Sequence, residues 1–263
     1  LRLDSYQQGK LAWKSATSYP AFGPLMKKDY PEVEDFCRLI DADVVLSNDA
    51  RNLKFKEEKG YFADASVLSM FGIKLIEGNP KTALDAPDKI ILSEETAKKY
   101  FGNEDPLGKR LVNRTSDYAR TFEVTGVFKS FPANSHLIIN HLVSYSTLGS
   151  ILRSFGDTSN STETALGWYD FYVYLKLKPG TDYKKLEAKF PAFCEKYINN
   201  REWEKTNNVR AEIHAIPLSD IHLYSNYNQE AEVNGNGQSV SFLFLIAFLI
   251  IGIAWINYIN LAT

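Results

Sequence analysis

Cysteine is scarce, with Cys37 and Cys194 the only two in 263 residues and far apart in the chain. That excludes a disulfide framework. The two thiols either pair in an oxidising compartment or act as small buried hydrophobes, the common fate of lone cysteines. An excess of one charge is also lacking: 30 basic residues stand against 32 acidic ones, interspersed, for a formal net charge of −2. Phosphate-backbone binding needs a basic stripe, so nucleic acid is not expected as a partner. No apolar leader opens the chain, because Leu1 to Gly9 is polar and mixed. If the domain is exported, the exporting segment is expected to precede Leu1.

Catalytic signatures are missing as well. The stretch Gly102-Asn103-Glu104-Asp105-Pro106-Leu107-Gly108-Lys109 resembles a phosphate loop only in outline. Such a loop needs four residues between its glycines and Ser or Thr after the lysine; here five intervene, two of them acidic, and Arg110 follows. Glu104 and Asp105 would repel phosphate, so a structural turn is expected. Of the four histidines, His136 and His141 lie five apart, which does not align them on a helix face, and no cysteine neighbours them. Gly-x-Ser-x-Gly does not occur, and pairs such as Asp41 and Asp43 or Glu57 and Glu58 read as solvated carboxylates. The fifteen tyrosines and sixteen phenylalanines read mainly as strand and core residues. The expectation is therefore no catalytic, cofactor-binding or metal-ligating residue.

What is present is one long uncharged run. From Val233 to Thr263 no residue is charged, and Val240 to Ile256 is almost unbroken apolar sequence. At ~1.5 Å per residue, Val240 to Ala262 makes a helix of ~34 Å, enough for the ~30 Å hydrocarbon layer of a bilayer. Asn257 and Asn260 fall three apart on one face of it, with Gly252 and Ala254 nearby. Amides and small residues in a membrane helix face other helices, since lipid offers no hydrogen bonds, so further membrane helices are expected as neighbours.

Before that run, patterning predicts an α+β domain. A helix beginning at Ser18-Tyr19-Pro20, with Ser18 as N-cap, carries Phe22, Leu25 and Met26 and ends at Pro31. Residues 35–46 and 52–57 read as two strands joined near Ser47-Asn48-Asp49, and 66–71 as a short helix before a turn at Gly78-Asn79-Pro80. Residues 89–92 read as a strand, after which Ser93 caps a helix with Glu94 and Glu95 in its first turn, Lys98 and Lys99 in its last, and Gly102 closing it. Strands follow at 109–112 and 122–128, with a mobile loop and subdomain seam at 154–164. Residues 171–178 alternate as a strand; Thr181 or Asp182 caps a helix that Pro191 kinks or divides; 209–216 is the last strand. Residues 226–238, with Asn234-Gly235-Asn236-Gly237, read as a flexible neck.

Several segments then carry a resemblance. Residues 90–111 (IILSEETAKKYFGNEDPLGKRL) resemble the signature of the MacB-like periplasmic core domain of FtsX-superfamily ABC transporter permeases. In the same order, 28–34 (KDYPEVE), 61–80 (YFADASVLSMFGIKLIEGNP), 122–136 (FEVTGVFKSFPANSH), 218–223 (LSDIHL) and 256–263 (INYINLAT) look like further family segments. The matching positions Ser93, Phe101, Gly102, Pro106, Gly108, Gly126, Pro132, Ser135 and His136 are expected to be structural rather than reactive. The resemblance implies a two-subdomain fold. Residues 1–60 and 166–225 would form a discontinuous membrane-proximal α/β subdomain, 61–165 an inserted mixed subdomain, 226–238 a neck and 239–263 a transmembrane helix.

It further implies a domain on the periplasmic side of a bacterial inner membrane, attached to a permease without its own ATPase. Implied partners are a cytoplasmic ATP-binding subunit, other permease helices in a dimer, membrane lipid, and a periplasmic adaptor or a lipoprotein or peptide cargo. The function implied is transmission of ATP-driven helix movement to periplasmic events, with Gly252, Asn257, Asn260 and the strand ending at Ile216 as coupling elements. The alternatives are a membrane-anchored sensor or ligand-binding domain, which would need an aromatic-lined pocket, and a tethered enzyme, which would need clustered titratable groups. Calorimetry of the chain with Mg-ATP should register no heat of binding; micromolar affinity would overturn the reading of residues 102–109.

Overall fold

A computed structural model of the chain describes residues 1–115, 119–131 and 135–262. Its first element is one that polar composition concealed. Strands β1 (Arg2–Gln7) and β2 (Lys10–Ser15) form a hairpin, and β1 also pairs antiparallel with β13 (Val209–His214), Leu3 opposite Ile213 and Gln7 opposite Val209. This three-stranded sheet is thus built from both ends of the chain that precedes the long apolar run. Helix α1 (Phe22–Asp29) follows, with Ala21 and not Ser18 at its N-cap position and no side-chain cap. Ser18 instead exchanges backbone hydrogen bonds with Phe171 and is fully buried, so it cannot turn its hydroxyl to a helix end.

The expected strand at 35–46 is broken in two. After β3 (Val33–Asp41), Ala42 and Asp43 turn the chain into β4 (Val44–Asn48), and a 3₁₀ turn at Asp49–Arg51 leads to β5 (Leu53–Glu57). Then come β6 (Gly60–Ala63), α2 (Val67–Met70), β7 (Leu75–Gly78), β8 (Lys89–Ser93), α3 (Glu94–Phe101), β9 (Arg110–Asn113), β10 (Arg120–Phe128) and β11 (His141–Ser144). Helices α4 (Tyr145–Ser154) and α5 (Ser161–Thr164) precede β12 (Tyr172–Leu177). Next are α6 (Tyr183–Glu187), α7 (Phe190–Cys194), a π-helical turn at Glu195–Asn199, α8 (Glu202–Asn207) and β13. Helices α9 (Leu218–Tyr224) and α10 (Gly237–Ala262) end the chain. Asp182 caps α6 by accepting from Lys184 N, and Pro191 sits in the first turn of α7, where a missing N–H costs little.

The larger sheet runs β12-β3-β6-β11-β8-β10-β9-β4-β5, with β7 beside the second half of β10. β8 and β10 are parallel and linked through α3; β6 and β11 are also parallel; the other pairs are antiparallel. Apolar side chains leave both faces of its middle. Ile90 and Leu92 join one cluster with Phe22, Phe122, Val124 and Phe193, while Ile91 joins another with Leu39, Tyr61, Phe128 and Leu142. A strand buried on both faces has no polar alternation, which is why β8 reads as a continuous apolar run. Cys37 belongs to one cluster and Cys194 to the other; both are free and buried, so they are the small hydrophobes of the two alternatives.

The segment 154–164 is not a mobile loop. It closes α4 and forms α5, whose backbone and Glu163 grip Arg38 of β3. All five guanidinium donors of Arg38 are used: two to Asp64 (2.9 and 3.0 Å), two to Glu163 (2.8 and 3.1 Å) and one to Thr162 O (3.0 Å). Its face lies 4.0 Å from the ring centroid of Tyr145, whose hydroxyl donates to the same Thr162 carbonyl. Arg38→Met should therefore destabilise the fold by about 3–5 kcal/mol, because it strands buried acceptors. At this size that lowers the unfolding midpoint by on the order of 10 °C. Glu163→Gln should cost less than about 1 kcal/mol, since that carboxylate is 38% exposed. Thermal unfolding of the two variants checks the ratio.

His141 makes a second measurable commitment. Fully buried, its Nε2 lies 2.9 Å from Ala42 O and so carries the hydrogen, while Nδ1 has no partner. Burial holds its pKa below the ordinary imidazole value of 6.5, and burial lowers that of His136 likewise. Lowered folded-state values mean that the unfolded chain binds protons first. The stability contributed by these two histidines is thus complete above about pH 6.5 and is lost as pH falls below it. His141→Gln, which keeps an N–H for Ala42 O, should flatten stability against pH between about 6.5 and 5. Denaturant titrations at several pH values check it, and an unchanged slope would show that His141 takes no part.

Candidate functional site

The candidate site is the junction between the folded domain and α10. The strand feeding it stops at His214, not Ile216, and α9 intervenes. The neck is not a free linker. Asn228 N donates to Lys14 O (2.9 Å), and Asn228 O accepts from Ala16 N (2.9 Å), which adds a short stretch of chain to the edge of β2. The Gln229 side-chain oxygen accepts from Thr17 Oγ1 (2.6 Å) and Ser15 Oγ (2.9 Å), and its nitrogen donates to Asp170 (2.9 Å). Glu230 accepts from Ser225 Oγ and from Tyr227 N (3.1 Å), and the Tyr227 hydroxyl accepts from Arg2 (3.0 Å). Glu232, mostly buried, pairs with Lys59 (2.8 Å) and accepts from Ile138 N (3.3 Å).

These bonds reach β1 and β2 of the small sheet. They also reach the turn before β6 and the approaches to β11 and β12 in the large one. Sequence reading missed this strap because Asn and Gly suggested freedom. The available signal was the polar run Asn228-Gln229-Glu230-Ala231-Glu232, whose two carboxylates are the last charges before 31 uncharged residues.

Helix α10 starts at Gly237, earlier than the apolar run alone suggests. Asn236 caps it by accepting from Ser239 N (3.0 Å), and the Gly237 Cα packs on the Tyr224 ring so closely that a Cβ would clash. Apart from Gly237, none of its 26 residues is buried. It is long and apolar enough to span a membrane. Asn257 and Asn260 stand exposed on it, and Gly252 has open space where a Cβ would sit. By helical geometry Gly252, Asn257 and Asn260 fall within an arc of ~140°, so they share a side.

The family-segment residues lie far from this junction or serve its surroundings. Ser93 caps α3, accepting from Thr96 N, and Phe101 is buried beneath it. Gly102 ends α3 with φ +66°, where an L side chain would be strained. In the following turn Lys109 N donates to Pro106 O, Gly108 N to Val124 O, and Leu107 N to Asp105. Glu104 pairs with Lys109 and Arg51. Those N–H groups are consumed internally, so the turn holds β9 and β10 in place and presents no anion cradle. Gly126 lets β7 and β8 approach β10, since a Cβ would meet Ile91 and Leu75 at 3.1 Å. Ser135 accepts from Leu137 N, and the His136 ring packs between Phe71 and Tyr174. Pro132 lies outside the described residues. Among the described residues no group of side chains is arranged to hold a metal ion. His214 bridges Glu187 (3.1 Å) and Asp4 (3.6 Å), tying α6 to the small sheet.

Comparison with known proteins agrees with this architecture. The family model for MacB-like periplasmic core domains matches residues 4–193. The macrolide export ATP-binding/permease protein MacB of Aggregatibacter actinomycetemcomitans is 30% identical over 126 residues, a match that takes in 42% of this chain and 19% of that protein. A crystal structure of a permease-protein domain from Porphyromonas gingivalis superposes with a TM-score of 0.66 at 20% identity, covering 84% of this chain and 93% of that one. The periplasmic region of MacB from Actinobacillus actinomycetemcomitans gives 0.53 at 14% identity, covering 84% and 90%. With the family match running from β1 through α7 and the same fold in both solved domains, the chain belongs to the family of MacB-like periplasmic core domains.

Proposed function

We propose that this domain is the extracytoplasmic part of an ABC transporter permease in a bacterial inner membrane and converts ATP-driven movement of membrane helices into periplasmic movement. The observation that carries the reading is the strap at 228–232, which fastens the start of α10 to both sheets. A displacement of the helix is then shared by the whole domain as a rigid body, the behaviour that mechanical coupling requires. A floating sensor domain would need no such attachment. Hydrolysis is assigned to a cytoplasmic ATP-binding subunit, either separate or fused as the name of the related MacB protein describes. Helix α10 crosses with its N-terminal end outside and packs through Gly252, Asn257 and Asn260 on other helices of a dimeric permease. Small residues allow close approach there, and an amide left facing lipid costs on the order of 1–2 kcal/mol.

The division into a membrane-proximal part (1–60 and 166–225), a distal part (61–165), a neck (226–238) and a membrane helix (239–263) belongs to the same proposal. The small sheet, made from both chain ends, supports the discontinuous proximal part, while the long sheet carries strands of both parts. The cargo side is assigned to a periplasmic adaptor or a lipoprotein or peptide.

In the permease assembled with its ATP-binding subunit in nanodiscs, spin labels on the two domains of a dimer should change separation when a non-hydrolysable ATP analogue is added. A strap variant combining Lys59→Met, Glu232→Gln and Gln229→Ala should keep ATP hydrolysis but lose most of that change. Asn257→Leu with Asn260→Leu should do the same through the membrane side. Full movement in both variants would remove the coupling role, and a label at Ser239 reacting only from the cytoplasm would reverse the orientation.

A further inference from the structure

Only one end of the small sheet is covered by the strap, at Lys14 to Ala16 of the β2 edge. On one of its faces Leu3, Ala211 and Ile213 are buried under α7 and the π-helical turn. Cross-strand register continues that face outward, with Ser5 opposite both Ala211 and Trp13, and Gln7 opposite Val209. Past the covered end it becomes the floor of an open cleft of about 670 Å³. One wall is the segment before β12 with Tyr19, and the other is the start of α8. Trp13 stacks on Tyr169 at 4.9 Å between centroids and 26° between planes, and across the cleft Trp203 is 63% exposed. An exposed tryptophan and tyrosine beside a half-buried Trp13, around a floor that holds a hydroxyl and an amide, are an arrangement that folding alone does not call for.

The lining also states what would fit. Its charged residues, Arg201 and Glu204, neutralise each other in a two-pronged pair whose carboxylate is 3% exposed. No net charge remains to attract an ionic ligand. A strand-like peptide would use the edge of β2, not the face of the sheet. Flat π surfaces carry a negative face, which suits the electropositive C–H faces of a pyranose ring. Sugar hydroxyls both donate and accept, so they can pair with the Ser5 hydroxyl and with both atoms of the Gln7 amide, whereas a proline-rich peptide, which has carbonyl acceptors but no N–H, would leave the Gln7 amide oxygen without a donor. We propose that this cleft binds a neutral oligosaccharide, stacking sugar rings on Trp203 and on the Trp13–Tyr169 pair, with Ser5 and Gln7 bonding their hydroxyls. The cleft shares β2 and the segment before β12 with the strap, which bonds Lys14 and Asp170 beside Trp13 and Tyr169, but the proposal does not rest on the coupling reading.

The test uses the full chain in phosphatidylcholine nanodiscs, which avoids sugar-headed detergents. Cellohexaose, chitohexaose, maltohexaose and deca-proline are titrated separately, with tryptophan emission and calorimetry as readouts. At least one hexasaccharide should bind saturably and shift the emission to shorter wavelength. Trp203→Ala should weaken that binding about tenfold or more, with the unfolding midpoint unchanged because the side chain is exposed. Gln7→Ala should weaken it less and leave the emission shift intact. The assignment is overturned if none of the three sugars saturates, if Trp203→Ala binds as well as the parent, or if deca-proline alone binds.

Discussion

The architecture turns on the desolvated guanidinium of Arg38. A cation placed among β3, α4 and α5 is tolerable only if every donor is met, and here each one is, by carboxylates and carbonyls from residues 64, 162 and 163. Those acceptors come from parts of the chain about 26 and 125 residues away from Arg38. The knot therefore fixes how α4 and α5 lie against the large sheet and carries the chain from there into β12. The Tyr145 ring over the guanidinium excludes water from one side and stiffens the arrangement.

A domain organised in this way is well suited to carrying force. The middle of its large sheet is buried on both faces, its small sheet is made from both chain ends, and the strap binds to each. Hydrogen bonds of the strap run to backbone as well as to side chains, so motion of α10 meets a framework and not a hinge. The aromatic cleft beside α8 opens on the small sheet at the end that the strap does not cover. In the turn at 102–109 the N–H groups of Glu104, Leu107, Gly108 and Lys109 are bonded within the fold and Glu104 pairs with Lys109 and Arg51, which makes it rigid.

Much of this was legible where physics is local. The unit from Lys89 to Gly102 declared itself because capping, helix dipole and left-handed glycine act within a few residues. The alternation of β12 and the division at Pro191 are similarly short-range. Failures came where partners are distant. β1 and β2 carry Asp4, Arg2 and Lys14, which look solvated in sequence yet form ion pairs around a buried carboxylate. Ser18 looked like a cap and became a strand-like bridge to Phe171. The serine-rich stretch before β12 looked loose because nothing in its composition reveals that it serves Arg38.

The sequence by itself determined the class of domain and the long apolar helix. Each follows from composition, periodicity or spacing, and the six ordered segments pointed to the family. Tertiary structure alone decided the pairing of chain ends into one sheet, the docking of the neck and the assembly of Trp13, Tyr169 and Trp203 around a cleft. The reason is that a hydrogen bond or a ring stack between residues more than a hundred positions apart leaves no mark on the sequence near either of them.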